Sequence, residues 1–110
     1  MAEIIVETLS SSSGGAIFQV KVRDESGQTE HRVRMSHDYH QKLASGKTPE
    51  EFIKTCFEFL LSKEPKESIL SEFDVPKIST FFSEFEDEIK RCRLVALIWH
   101  FVEFFRTIRN

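Results

Sequence analysis

The sequence predicts an α+β fold: a three-stranded antiparallel β-meander followed by four or five α-helices packed on one face, ending in a long apolar C-terminal helix. Three observations predict it. The stretch Glu3–Met35 holds three short runs of β-branched or alternating side chains, separated by Ser/Gly and Asp/Gly turns. Thr48–Ser62 carries a start signal and apolar side chains at helical spacing. Eleven of the fifteen residues Leu94–Ile108 are apolar.

The first strand is Glu3–Leu9, short and β-branched, and Ser10–Gly15 reads as a flexible loop. In Ala16–Arg23, Phe18, Val20 and Val22 alternate with Gln19, Lys21 and Arg23, the two-residue period of a half-buried strand. Asp24–Gln28 is a turn, with Gly27 available for a positive φ. In Thr29–Met35, His31, Val33 and Met35 share one face and Glu30, Arg32 and Arg34 the other. Short connections between these strands predict antiparallel neighbours. One sheet face is then apolar, and the other presents Lys21, Arg23, Arg32 and Arg34, tempered by Glu30 and Glu7.

Ser36 suits the cap of a short helix, His37–Ala44, with Gly46 as its terminator. In the main helix, Thr48 is the N-cap, Pro49 fills the first helical position and Glu51 completes a capping box. Phe52, Ile53, Cys56, Phe57, Phe59, Leu60 and Leu61 cover an arc of roughly 200° at about 100° per residue. A surface helix shows a stripe nearer 100°, so this helix is expected to be covered on two sides. A further short helix is expected over Pro65–Phe73, with Ile69, Leu70 and Phe73 inward. Beyond Asp74 and Pro76, the residues Ile78, Phe81, Phe82 and Phe85 follow i, i+3, i+4, i+7. Ser83 with Glu86 is a second capping-box candidate, where that helix could break and restart.

On one straight helix drawn from Ile78, the apolar side of the first half becomes the side of Ala96, His100, Glu103 and Thr107. Either the helix bends near Lys90–Arg93, or the second half is wrapped on nearly all sides, partly by another chain. One small domain has difficulty covering both arcs, so a homodimer is expected, with Leu94, Ile98, Phe101, Phe105 and Ile108 at its interface. The fifteen residues rise about 22 Å as a helix, short of a hydrocarbon core of about 30 Å, so no transmembrane segment is expected.

Length and composition, 110 residues with 40% apolar and 30% charged, set one domain, 1–110, with 90–110 as a possible assembly element. Eleven Phe against one Trp and one Tyr make the aromatic content almost wholly non-polar. Net charge is −3, which argues against a nucleic-acid partner. Residues 48–89 carry four basic and eleven acidic side chains, a sum of −7, and residues 90–110 five basic and one acidic, a sum of +4. Cys56 and Cys92, without a secretory signal, build neither a disulfide framework nor a zinc site, and the protein is expected in the cytoplasm.

The chemical constellations are thin. His37 and His40, with His31 upstream, have part of a metal-ligand spacing but lack the rest of the set, and read as surface histidines. His100 and Glu103 have acid–base spacing, and read as a satisfied polar pair. The Ser/Gly loop lacks the lysine of a phosphate loop, and no nucleophile elbow is present. The expectation is a non-enzymatic interaction module with no cofactor.

Two resemblances add to this. RVRMSHDYHQKLASGKTPEEFIKTCFEFLLSK resembles part of a ribbon-helix-helix DNA-binding domain: a strand with alternating basic residues, a capped helix, a turn and a second helix opened by Thr48. That resemblance implies a nucleic-acid-binding regulator whose outward strand residues Glu30, Arg32 and Arg34 read bases. Residues of about 29–89, above all FEFLLSKEPKESILSEFDVPKISTFFSEFEDEI, are similar to a group of short bacterial α+β proteins with no characterised function. This implies a bacterial cytoplasmic protein, and supplies no activity.

Overall fold

The computed structural model describes residues 2–44 and 46–89. Three strands open the chain: β1 (Glu3–Ser11), β2 (Gly15–Asp24) and β3 (Gly27–Ser36). They pair antiparallel, with Val6 opposite Val20 and Val20 opposite His31. Alternation sends Phe18, Val20, Val22, Val33 and Met35 to one face, where each is buried. The hairpin between β2 and β3 closes on Asp24 and Gly27, and Gly27 takes φ 133°, a conformation open to glycine. The Ser/Gly loop is tighter than its composition suggests. β1 runs on to Ser11 through a bulge between Thr8 and Ser10. A Cβ on Gly15 would lie 2.6 Å from the Met35 carbonyl oxygen, so the backbones approach as only glycine permits.

α1 (His37–Ala44) starts at Ser36, whose hydroxyl accepts the Tyr39 N–H at 3.1 Å. α2 (Pro49–Lys63) starts at Thr48, whose hydroxyl accepts the Glu51 N–H at 3.2 Å. The broad apolar arc of α2 is covered from two directions. Phe57 lies against the His31 ring of β3 and against Phe73. Phe59 meets Phe82 and Phe85 edge-on, from the segment that closes the described fold.

The expected three-stranded antiparallel meander is corrected at this point. The sheet has four strands, in the order β1-β2-β3-β4, and is mixed. β4 (Glu72–Asp74) lies parallel to β3, with Phe73 beside Val33. The Arg32 N–H donates to the Ser71 carbonyl at 2.8 Å, and the Val75 N–H to that of Arg34 at 2.9 Å. The helix expected over Pro65–Phe73 is therefore absent. Its place is taken by a 3-10 turn, Lys66–Ser68, and by β4. Ile69 and Phe73 are buried as expected, but Leu70 is exposed. The stripe from Ile78 onward is also interrupted. α3 (Lys77–Phe81) stops at Phe82, and helix resumes over residues 85–89, so Phe81 points outward while Phe85 and Ile89 are buried. The expected C-terminal helix Leu94–Ile108 lies outside the described residues.

Candidate interaction surfaces

The four cations singled out in the sequence, Lys21, Arg23, Arg32 and Arg34, stand on one sheet face, the one turned away from α1 and α2. Register separates them: Lys21 is opposite Glu30, Arg23 opposite Gln28, Arg32 opposite Gln19 and Arg34 opposite Ile17. β1 brings Glu3 beside Arg23 and places Glu7 next to Gln19. β4 brings Glu72 beside Arg32 and Asp74 beside Arg34. Arg23 meets Glu3 at 2.5 Å and Lys21 meets Glu30 at 3.9 Å. Arg34 forks between Asp74 at 2.6 Å and Glu72 at 3.0 Å. Four cations thus share the face with five carboxylates, Glu3, Glu7, Glu30, Glu72 and Asp74. Exposed ion pairs of this kind add little to stability. Their consequence is that the face carries no excess of positive charge.

The histidines are structural rather than superficial. His31 is buried under Phe57, and its Nδ1–H donates to the Leu70 carbonyl at 2.7 Å. His40 is buried too, and its Nε2–H donates to the Lys47 carbonyl at 2.7 Å, closing the turn between α1 and α2. The His37 Nε2–H donates to the Ser12 carbonyl at 2.6 Å and ties α1 to the β1–β2 loop. Three imidazoles therefore hold three separate main-chain segments. No group of three or more metal-ligating side chains occurs among the described residues. Cys56 is a buried thiol whose ionisation burial pushes up, which keeps it un-ionised and unreactive.

Two features had no clear signal in the sequence. Lys66 is 3% exposed and reaches the β2–β3 turn, where its ammonium meets Asp24 at 2.8 Å and Glu67 at 2.7 Å. The second is an apolar groove between the end of α2, the 3-10 turn, β4 and α3. Leu60, Ile69, Ile78 and Phe82 line it, and Leu70 and Phe81 stand at its rim. Phe81 is 62% exposed and Leu70 47%. Beside it, sharing Leu70, Phe73 and Lys77, a polar cleft of about 480 Å³ is bounded by Arg34, Glu72 and Asp74. The helical spacing of Ile78, Phe81, Phe82 and Phe85 pointed all four inward, and only the break after Phe81 turns that ring out.

The expected interface residues Leu94, Ile98, Phe101, Phe105 and Ile108, and the pair His100 and Glu103, lie outside the described residues. No helix among the described residues is long and apolar enough to cross a membrane. No family profile, curated protein or solved structure matches this chain.

Proposed function

We propose that the protein is a non-enzymatic assembly module that forms a homodimer through its C-terminal segment, with Leu94, Ile98, Phe101, Phe105 and Ile108 at the interface. The carrying observation is the exposure of Phe81 and Leu70 at the rim of an apolar groove. Two large apolar side chains on such a rim favour association over permanent contact with water. The same reading holds it to be a bacterial cytoplasmic protein without a cofactor.

Static light scattering on the full chain tests this. The expected mass is twice 12.8 kDa, falling to that of one chain in Phe101→Ser/Phe105→Ser. A folded full-length monomer at micromolar concentration overturns it. A ribbon-helix-helix reading needs β3 free at one edge to pair with a second copy. β3 lies between β2 and β4, and its outer face is charge-balanced, so no observation favours that alternative.

A further inference from the structure

We infer that residues 77–89 form a two-state hinge, a broken form with α3 ending at Phe81 and a continuous helix running through residues 82–84, and that the Glu86 carboxylate is the latch of the broken form. This does not rest on the homodimer reading. Three observations carry it. The first is that the break has no strong local cause. Pro and Gly are the usual helix breakers, and Phe82, Ser83 and Glu84 are neither. No non-glycine residue among those described takes a positive φ. At about 100° per residue, Ile78, Phe81, Phe82, Phe85 and Ile89 fall within an arc of about 100° on one helix, the width of an ordinary core-facing stripe. Ser83, a cap for a restarted helix, is the competing signal. The same residues encode both forms.

The second is the cost of the break. It puts the Phe81 ring in water and makes Phe82 extended, at φ −129° and ψ 93°. A continuous helix returns Phe81 to the face of Ile78, Phe82 and Phe85, so apolar burial opposes the broken form.

The third is the contact that offsets this cost. Glu86 Oε2 accepts from the Tyr39 hydroxyl at 3.1 Å and from the Ser79 hydroxyl at 3.3 Å. On a continuous helix Ser79 and Glu86 are separated by about 10 Å of rise, too far for side chains that stand outward from the helix surface. The Ser79 bond therefore belongs to the broken form alone. Only that form presents Phe81 at the groove rim, so the hinge sets how much of this apolar surface the molecule offers.

Nuclear magnetic resonance on the full chain, carbon-13 labelled and with 4-fluorophenylalanine in place of Phe81, tests the hinge. Ser79→Ala/Tyr39→Phe removes both donors to Glu86, and each lost bond to a carboxylate is expected to raise the continuous population roughly tenfold. The Cα shifts of Phe82–Glu84 then move toward helical values, the Glu84 amide exchanges more slowly, and the fluorine signal responds less to replacing H2O by D2O. Ser83→Ala, which deletes the competing cap, is the independent variant and is expected to move all three the same way. Ser83→Pro removes an N–H that a continuous helix uses and clashes with the preceding turn. The broken form accommodates it, because Ser83 is exposed and Phe82 is already extended. Added to the latch variant, it is expected to restore the wild-type signals. Folded latch and Ser83→Ala variants with wild-type shifts at Phe82–Glu84 overturn the hinge. So does a change that Ser83→Pro fails to reverse, which would be loosening without a helix. A monomeric wild-type chain removes the homodimer reading and leaves these signals as expected.

Discussion

Lys66 carries its charge where 3% of its side chain meets solvent, and the β2–β3 turn supplies the compensation. The Asp24 carboxylate accepts from Lys66, from the Ser26 N–H at 2.8 Å and from the Ser26 hydroxyl at 2.7 Å. Hydrogen bonding to Lys66 first, and then to Ser26, holds the Asp24 carboxyl down at about 2, against an ordinary 3.8. A carboxyl with a lowered folded-state pKa contributes stability that is fully present above its unfolded value and lost as pH falls through the folded one. The cluster therefore stabilises at neutral pH and fades between about 4 and 2. Lys66→Met is expected to lower the urea midpoint at neutral pH, with the gap from wild type narrowing as the pH approaches about 2. A gap that stays constant over that range would show that the ammonium acts through packing and not through Asp24.

At the scale of elements, α2 shows how local signals and long-range contacts divide the work. Its boundaries follow from Thr48, Pro49 and the Glu64 N–H that returns to the Leu60 carbonyl at 2.9 Å. Thr48→Ala is expected to cost about 1 kcal/mol of folding free energy by urea titration, with an unchanged m-value, and Thr48→Gly only a few tenths. β4 is the opposite case. Three residues are too few for any periodicity to register, and Ile69, Leu70 and Phe73 mimic a helical spacing. What makes Glu72–Asp74 a strand lies forty residues away in sequence: the Arg32 N–H, the Arg34 carbonyl and the Arg34 guanidinium. His31 adds a fourth hold by donating to the Leu70 carbonyl from inside the core. That bond fixes the backbone just before β4.

At the scale of the molecule, a single apolar layer joins sheet to helices, built from Phe18, Val20, Val33, Phe52, Phe57 and Phe85 among others. β1 and β4 are the sheet edges, and the groove opens on the β4 side. The proposed homodimer would couple folding to association. The urea midpoint of the full chain is then expected to rise with chain concentration, by about 1.4 kcal/mol of apparent stability per tenfold. Phe101→Ser/Phe105→Ser is expected to remove that dependence. A midpoint that ignores concentration in the wild type would place all of its stability within one chain.

The three long strands, α1, α2 with its cap and the Gly27 turn were legible in the sequence because each is specified within its own residues. Alternation places Val20 and Val33 on one face, Thr48 caps the next turn, and glycine alone suits φ 133°. The four basic residues of the outer sheet face were legible as sharing a face for the same reason. Their neutralisation was not, since Glu72 and Asp74 reach Arg34 through a strand whose existence depends on Arg34's own backbone. The exposure of Phe81 was hidden because its spacing fits a continuous helix, and the chain ends α3 at Phe81 before restarting at Phe85. Side-chain period and caps act over one turn or one strand pair, so sequence alone determined the elements they govern. Parallel pairing, the break in a helix and the burial of Lys66 depend on what distant segments bring alongside, and those only the tertiary structure decided.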